Sequence, residues 1–247
     1  SAGGAMSAKS GFIQAFGSGT EQGNTKSGTA TVYGFDADTS GIAFGFDGVT
    51  EKGSTIGLSA SYSSTDVDGK GIGKAKNSID SYVVSLYTDK VTDYGYIDGS
   101  FTYGINDNTT SRLVDVAGLS RAYSGLYDSQ QISLKVSAGL PREFTGDVFL
   151  TPFGSFVGTN ISTDSYTETS TTASDNLRLN VAQDSILSFV GTLGIKAHKV
   201  TSSGTPMISF AINNEFGDNK IESTNTYQGG GTAFKTSTDV EELSATL

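Results

Sequence analysis

The sequence predicts an all-β protein, an antiparallel up-and-down transmembrane β-barrel. Three observations predict this fold. Bulky apolar residues recur at every second position in many segments, which is the period of a β-strand. The chain has 32 Gly, 11 Tyr and 14 Phe but 3 Pro, a composition that suits pleated strands and Gly-rich loops. Short and long connections alternate along the chain, as they do at the two rims of a membrane barrel.

Composition and charge exclude several other classes. Hydrophobic residues make up 36% of the chain and charged residues 17%, and no run approaches the roughly 20 apolar residues of a membrane-spanning helix. The formal net charge of -10 argues against nucleic acid as a partner, because binding phosphates requires a surplus of Lys and Arg. The sequence has no cysteine, which excludes a disulfide framework and a thiolate metal site within it.

The apolar stripes, taken in chain order, begin with a first strand near residues 11–16. In the second strand Ile42, Phe44 and Phe46 alternate with small residues, so one face is bulky and the other is not. The later strands repeat this pattern, and charge appears only on their second face. Their bulky residues are Ile56, Leu58, Ala60 and Tyr62; Tyr82, Val84 and Leu86; Ile97, Phe101, Tyr103 and Ile105; Ile132, Leu134, Val136, Ala138 and Leu140; Leu187, Phe189, Leu193 and Ile195; and Ile208, Phe210 and Ile212.

The connections between these strands fall into two groups. Short connections are predicted at residues 47–53, 88–94, 141–147 and 199–205. Long ones alternate with them, at residues 17–31, 66–77, 106–123, 160–176 and 217–238. A transmembrane barrel has short periplasmic turns and long extracellular loops. The alternation therefore predicts that the first strand rises from the periplasmic side.

About ten strands are visible in the sequence, and the tenth begins near Asp239. An unpaired strand edge in lipid leaves backbone donors and acceptors without partners. We therefore expect about two further strands beyond Leu247, and about 12 in the closed barrel. The predicted domains are a linker or tag remnant at residues 1–10, which are small and unpatterned, and the barrel at residues 11–247, incomplete at its carboxyl terminus.

Several segments match, in order, the strands of one known family. Residues 11–17 (Gly-Phe-Ile-Gln-Ala-Phe-Gly) match its first strand, and residues 35–47, from Phe-Asp-Ala-Asp to Gly-Phe-Asp, match its second. Further similarities are Ile79-Asp80-Ser81-Tyr82 with Leu86-Tyr87, the run from Tyr96 to Gly104 followed by Arg112, Leu150-Thr151-Pro152-Phe153, and Tyr166-Thr167-Glu168. The ordered series resembles the autotransporter β-domain family over nearly the whole chain.

The resemblance implies a twelve-stranded barrel of the Gram-negative outer membrane. Such a barrel anchors an upstream passenger in type V secretion and takes part in its delivery to the cell surface. The implied partners are outer-membrane lipid and lipopolysaccharide, the chain's own passenger or linker segment in the lumen, and the outer-membrane assembly machinery. Family members usually end in a strand with a terminal aromatic that this machinery recognises, whereas this sequence stops at Leu247.

Two other functions are compatible with the same pattern. One is a porin-like outer-membrane channel without a passenger. The other is a soluble β-barrel binding module with its bulky face packed inward, because periodicity alone does not say which face meets lipid. The preferred interpretation is a translocator that is not an enzyme, with no catalytic residue and no cofactor.

Three motifs imitate known sites. Residues 36–47 approximate the ligand spacing of an EF-hand calcium loop, but residues 42–46 alternate like a strand. Residues 69–74 are rich in Gly and Lys but lack the Gly-Lys-Ser/Thr of a phosphate-binding loop. They are therefore interpreted as an extracellular loop. The only phosphates that its lysines are expected to contact are those of lipopolysaccharide. His198 is the single histidine, and no Gly-x-Ser-x-Gly motif accompanies it. None of the three predicts a metal, phosphate or catalytic site.

Two sets of side chains are candidates for function. Asp98, Lys135 and Lys196 lie on the polar face of their strands, and a charge facing lipid costs on the order of 2–4 kcal/mol near the midplane. We therefore expect these three to line the lumen and to contact water or a threaded segment. Aromatic residues near strand ends are predicted to form the girdle at the membrane interfaces. These residues are Tyr62, Tyr94, Tyr96, Tyr103 and Phe216.

Overall fold

The computed structural model describes residues 6–27, 30–116, 118–171, 175–202, 204–240 and 242–246. These residues form eighteen strands. The strands are β1 (Met6–Gln22), β2 (Thr25–Ser27), β3 (Ala30–Val32), β4 (Phe35–Thr50), β5 (Ser54–Gly69), β6 (Lys76–Val91), β7 (Tyr96–Val116), β8 (Leu119–Gly139), β9 (Arg142–Thr145), β10 (Val148–Thr163), β11 (Tyr166–Thr167), β12 (Thr169–Ser170), β13 (Leu179–Gln183), β14 (Ile186–Lys199), β15 (Met207–Glu215), β16 (Lys220–Tyr227), β17 (Phe234–Asp239) and β18 (Leu243–Thr246).

One large antiparallel sheet contains the predicted up-and-down strands. Its order is β1-β4-β5-β6-β7-β8-β10-β14-β15-β18, so each long strand pairs with the next long strand along the chain. The short strands β9 and β12 add to β10 and β8. This order confirms the all-β antiparallel fold and the ten visible strands. None of the described residues forms a helix of the length and hydropathy that a membrane span requires.

The first strand is longer than its apolar stripe. β1 begins at Met6 and pairs with β4 along its whole length, so it includes residues 6–10, which the sequence set apart as a linker or tag remnant. Residues 1–5 lie outside the described part of the chain. Strand pairing uses backbone groups, and therefore small unpatterned residues extend a strand once a neighbour is present.

The bulky face of the sheet is exposed. Phe44, Leu58 and Leu134 expose 54%, 41% and 57% of their surface. Among the described residues, the buried hydrophobic ones are Tyr123, Val181 and Ala211. A soluble barrel would pack its large apolar side chains into a core. The soluble alternative is therefore wrong for this chain, and the apolar stripe is placed to contact lipid.

The short connections lie at one end of the sheet, here called the turn rim. They comprise residues 51–53, 92–95 and 140–147 and the described residues of 200–206. These four are the connections predicted to be short. The turn at residues 92–95 is closed by hydrogen bonds in both directions between Thr92 and Gly95.

The opposite end, here called the extended rim, comprises the described residues of 20–38, 66–78, 107–128, 162–185 and 215–242. The sequence predicted long loops there, but the structure has strands over most of their length. β7 and β8, for example, continue to Val116 and from Leu119, through the segment 106–123 predicted as a loop. Strand pairing continues past the apolar stripe because water there solvates polar side chains on both faces.

The extended rim also holds a second sheet. β11, β13, β16 and β17 pair in that order to form the rim sheet. These strands come from the two longest connections, between β10 and β14 and between β15 and β18. A two-stranded hairpin of β2 and β3 lies in the connection between β1 and β4.

Candidate lumen and its mouth

The inner face of the large sheet, opposite the bulky stripe, is small and rich in hydroxyl groups. Ser85 and Thr102 are 2.9 Å apart at their hydroxyls, across β6 and β7. Ser133 and Thr159 form an equivalent pair at 2.9 Å across β8 and β10. Side chains this short leave open space in front of the wall. Their hydroxyls pair across strands or with water, so the face needs no apolar cover.

Asp98, Lys135 and Lys196, on three different strands, line one cavity of about 540 Å³ near the turn rim. The alternation of side chains along each strand places the three on the same face of the sheet. Asp98 is paired with Ser137 in the β7–β8 ladder, and Lys135 is two residues from Ser137 on the same face. The remaining lining residues are Val91, Gly95, Tyr96, Ser137, Pro141, Thr151, Phe153, Ser155 and His198.

The charges in this cavity have partners within it. The Lys135 ammonium lies 3.8 Å from the Asp98 carboxylate, and the Ser137 hydroxyl donates to the same carboxylate. The Lys196 ammonium lies 4.7 Å from the centre of the Phe153 ring, a cation–π distance. Lys135 remains half exposed. The cavity thus presents two cations and one carboxylate to whatever fills it.

His198 also belongs to this cavity, which sequence reasoning missed. Its ring stacks on Phe149 at a centroid distance of 5.1 Å. The spacing along the strand could have predicted this, because His198 is two residues from Lys196 and therefore points to the same side of β14.

One girdle residue was assigned to the wrong face. Tyr96 lines the cavity with Asp98 and lies against Gly139, which is its partner in β8. Tyr96 and Asp98 are two residues apart on one strand, so both point inward. Its position near a strand end suggested contact with the membrane interface. The alternation of side chains along β7, however, places its ring on the inner face.

The other predicted girdle residues are exposed. Tyr62 and Tyr103 lie on the bulky face, where Tyr62 contacts Tyr82 at 5.3 Å. Phe216 follows β15 and covers Gly191, and Tyr94 lies in the turn at residues 92–95 on the opposite rim. Their contact with membrane interfaces stays a prediction.

The bulky face turns polar directly beyond these aromatics. The Tyr62 hydroxyl donates to Asp80 at 2.8 Å, and Asp80 is paired with Asp107 on the next strand. Carboxylates on the outward face are incompatible with hydrocarbon. The apolar belt therefore ends between Tyr82 and Asp80.

A buried ionic cluster lies at the extended rim. The Arg112 guanidinium of β7 donates to both oxygens of Glu168, at 2.6 and 2.7 Å, and stacks 4.5 Å above the Tyr123 ring. Glu168 is 4% exposed and Tyr123 1%. The backbone N–H of Leu179 also donates to Glu168, at 2.8 Å. Every partner of this carboxylate is thus a hydrogen-bond donor, as a buried charge requires.

Asp175 is the second buried carboxylate of this cluster. It accepts hydrogen bonds from the Leu177 N–H at 3.0 Å, the Tyr123 hydroxyl at 2.8 Å and the Arg121 guanidinium at 3.0 Å. These donors, the Leu177 N–H first, hold the pKa of Asp175 below its ordinary value. Tyr123 therefore contacts both halves of the cluster, through its ring and through its hydroxyl.

An aromatic stack adjoins the ionic cluster. The Tyr127 and Tyr166 rings are parallel, 4.7 Å apart. Tyr166 also lies against Gly125, where a Cβ would overlap its ring, so glycine is needed for this close approach. Burial raises the pKa of Tyr166 to about 12.

The motifs that imitated other sites have ordinary structural roles. Residues 36–47 lie within the single strand β4, which holds the two ends of the EF-hand-like motif apart, and the described residues contain no group of three His, Asp or Glu side chains arranged for a metal. Lys70 pairs with Glu21 and Asp36, both at 2.8 Å, and Lys76 with Asp68 at 2.6 Å. Carboxylates of the chain itself thus neutralise these two lysines.

Comparison with known proteins identifies relatives of this architecture. The chain matches curated sequences named outer membrane protein A, at 28% identity in Rickettsia conorii and 27% in Rickettsia rickettsii, in each case over 174 residues. These matches cover 67% of this chain but 8% of each relative. The relatives are therefore far longer than the segment they share with it.

Two solved structures share the fold. The β domain of the Bordetella autotransporter BrkA matches with a TM-score of 0.64 at 18% identity, covering 95% of this chain and 94% of that one. The translocator domain of the autotransporter NalP from Neisseria meningitidis matches with a TM-score of 0.66 at 14% identity, covering 96% and 83%.

A family model named autotransporter beta-domain matches residues 12–247. Together with the outer-membrane relatives, it indicates a location in the bacterial outer membrane. The sheet order, the exposed apolar belt and the open hydroxyl-lined face agree with that model. The chain belongs to the autotransporter β-domain family.

Proposed function

We propose that this chain anchors an autotransporter in the outer membrane and takes part in exporting its N-terminal passenger, without enzymatic activity of its own. The observation that carries the proposal is the division of the sheet into two faces. Bulky apolar side chains such as Leu134 are exposed on one face, while paired hydroxyls such as Ser85 and Thr102 line the other. A barrel needs the first to reside in lipid and the second to leave room for a chain segment.

The cavity near the turn rim is the proposed contact site for that segment. Lys135 and Lys196 offer positive charge and Asp98 negative charge, and the Tyr96 and Phe153 rings offer apolar surface. A linker segment that carries both polar and apolar groups can therefore bind in this cavity through charged and aromatic side chains. The short side chains along the rest of the wall allow it to pass.

The orientation follows from the two rims. In bacterial outer-membrane barrels short turns face the periplasm and long connections face outward, so the extended rim is placed at the cell surface. The proposed partners at that level are lipid headgroups and lipopolysaccharide. During insertion the partner is the outer-membrane assembly machinery, as for other outer-membrane barrels.

The proposal is tested by filling the lumen of the complete protein in Gram-negative cells. Ser59 and Ser85 are paired on the inner face, and their neighbours Ala60 and Val84 are paired on the outer face. Replacing both serines with Trp narrows the lumen, whereas replacing both outer residues with Trp places the same volume in lipid. Protease access to the passenger on intact cells reports export, and heat-modifiable mobility in detergent gels confirms that each barrel is folded.

We expect the Ser59→Trp/Ser85→Trp variant to lose most surface-exposed passenger, and the Ala60→Trp/Val84→Trp variant to keep it. Equal export by both folded variants contradicts passage through this lumen. Normal export together with reduced ion conductance in the serine variant would instead support the porin-like alternative.

A further inference from the structure

The outer face of the sheet carries opposite charges at the two borders of the apolar belt. At the turn rim, three strands place a lysine four residues beyond an outward apolar side chain. The pairs are Ile13 and Lys9 on β1, Leu86 and Lys90 on β6, and Ile195 and Lys199 on β14. An interval of four residues keeps each lysine on the outer face, about 13 Å along the strand from the apolar side chain.

A fourth cation, Arg142 of β9, completes this basic border. Arg142 is paired with Leu150 of β10, which alternates with the cavity residue Thr151 and therefore points outward. The side chains of Lys9, Lys90, Arg142 and Lys199 are all exposed. Among the residues that the structure describes, no carboxylate forms an ion pair with any of the four. The four charges are thus available to an outside partner.

The acidic residues of the turn rim point elsewhere. They lie in the turns or on the inner face of the sheet. Those in the turns are Glu51, Asp93 and Asp147, and those on the inner face are Asp47, Asp89, Asp98 and Glu143. The outer face of the strands is therefore purely basic where it leaves the apolar belt at this rim.

The border at the extended rim has the opposite charge. Three aspartates occupy the equivalent positions there, four residues beyond an outward side chain of the belt. The pairs are Ile42 and Asp38 on β4, Tyr62 and Asp66 on β5, and Ile132 and Asp128 on β8. Lys70 and Lys76, which lie at the same border, are neutralised by carboxylates of the chain. The two borders therefore present different charges to lipid headgroups.

We propose that the four cations of the basic border bind the phosphates of anionic phospholipids in the leaflet at the turn rim. The apolar belt contacts the acyl chains, so the headgroups lie at the height where the belt ends. A lysine stem can lie along apolar surface while its ammonium group reaches the headgroup. At the other border, carboxylates repel the same phosphates unless a cation bridges the two. The preference for anionic lipid is therefore confined to one leaflet.

This inference rests on the proposed function, in that the sheet must reside in lipid, but it concerns headgroups and not the lumen or the passenger. In the proposed orientation, the leaflet at the turn rim is the periplasmic one. The partner is identified by its chemistry, as a phosphodiester with a net negative charge on a lipid. Phosphatidylglycerol is the probe with that chemistry, and phosphatidylcholine is the neutral reference.

The test measures which lipid surrounds each border. The chain has no Trp, so Thr88→Trp reports the basic border, two residues from Lys90 on the outer face of β6. Ser64→Trp reports the other border, two residues from Asp66 on β5. Each full-length variant is placed in phosphatidylcholine vesicles in which a minor lipid has brominated acyl chains. That lipid is either phosphatidylglycerol or phosphatidylcholine, and the ratio of the two quenching efficiencies gives the headgroup preference.

The charge variants are matched on one strand. Lys90→Gln removes a cation from the basic border, and Lys76→Gln removes the same charge from the opposite end of β6, where Lys76 is paired with Asp68. A second reporter, Ala197→Trp, lies two residues from Lys199 on β14 and repeats the measurement with Lys199→Gln. Heat-modifiable mobility in detergent gels confirms that each barrel is folded.

At Thr88→Trp and Ala197→Trp we expect phosphatidylglycerol to quench about 3-fold more efficiently than phosphatidylcholine at low ionic strength. The preference should disappear in 1 M salt, which screens exposed charges. Lys90→Gln should reduce it to less than about 1.5-fold at Thr88→Trp, and Lys199→Gln should do so at Ala197→Trp. Lys76→Gln should leave it unchanged, and Ser64→Trp should show no preference.

Three results would overturn the proposal. Equal quenching by the two lipids at both turn-rim reporters would show that the basic border does not attract anionic headgroups. The same preference at Ser64→Trp would show enrichment without regard to the border charges. A preference that persists in Lys90→Gln and Lys199→Gln would have another cause. Failure of the proposed function gives a different result, because a sheet outside lipid would leave every reporter unquenched by either lipid.

Discussion

The apolar belt and the extended rim are organised in opposite ways. In the belt, large apolar side chains such as Phe44 are exposed while the inner wall is polar. In the extended rim, Glu168, Asp175 and Tyr123 are buried among their hydrogen-bond partners. One pair of strands, β7 and β8, runs through both regions. The same backbone ladder is thus compatible with both lipid and water. The side chains at each height along the strands determine which of the two surrounds that part of the sheet.

The largest expected effect is in the extended rim. Arg112→Met leaves Glu168 buried without its cation, which costs about 3–5 kcal/mol in comparable buried pairs. The loss should appear as faster hydrogen exchange at the Leu179 amide, which donates to Glu168. Lys235→Met breaks an exposed pair and should cost less than about 1 kcal/mol. Equal effects of the two changes would refute the distinction between a buried cluster and a solvated pair.

A charge introduced on the outer face of β8 should have a different effect in the apolar belt than in the extended rim. Leu134 in the belt and Leu126 in the extended rim are both exposed on the outer face of β8. Leu134→Arg should lower the free energy of unfolding in lipid vesicles by about 2–4 kcal/mol, and Leu126→Arg by about 0–1 kcal/mol. Urea titration of the folded barrel measures both. Similar losses at the two positions would mean that the belt boundary is misplaced.

The inner wall is tightly packed at particular glycines. A Cβ at Gly57 on this wall would overlap the Tyr87 ring, whereas a Cβ at Gly99, on the outer face of β7, would meet its nearest neighbour, the Lys135 carbonyl oxygen, at 3.5 Å. Gly57→Ala should therefore cost about 1–3 kcal/mol, and Gly99→Ala less than about 0.5 kcal/mol. The same urea titration decides between them, and a neutral Gly57→Ala would argue against close packing of Tyr87 on this wall.

The smallest effect is the acid response of the extended rim. The pKa of Asp175 is lowered in the folded protein, so its contribution to stability is present above its ordinary pKa and is lost as the pH falls through the lowered value. Near-ultraviolet circular dichroism of the Tyr123, Tyr127 and Tyr166 cluster should therefore persist below pH 3.8, the ordinary value. Tyr123→Phe removes one donor and should move this transition to higher pH. An unmoved transition would show that Asp175 does not govern it.

The sequence predicted the belt well because its physical cause is local. Lipid on one side and the lumen on the other impose a period of two, and Ile42, Phe44 and Phe46 display it directly. The same period explains why Asp98, Lys135 and Lys196 line one cavity, whereas their contact with a threaded segment stays a prediction. Tyr96 was misassigned because closeness to a strand end was given more weight than its parity with Asp98.

The extended rim was harder to predict for the opposite reason. Its strands lie in water, so residues 106–123 carry no apolar stripe that would distinguish them from a loop. Its central pair joins Arg112 to Glu168 across 56 residues, and no spacing rule connects positions so far apart. The resemblance to a known family included both Arg112 and residues 166–168, but it did not reveal that Arg112 and Glu168 pair.

The most direct test of the account asks which face of the sheet touches lipid. This chain has no Trp, so single Trp residues at Leu134 and at its neighbour Ser133 report the two faces of β8 in turn. In vesicles with brominated acyl chains, the account predicts strong fluorescence quenching for Leu134→Trp and weak quenching for Ser133→Trp. Equal quenching, or stronger quenching at Ser133→Trp, would contradict it.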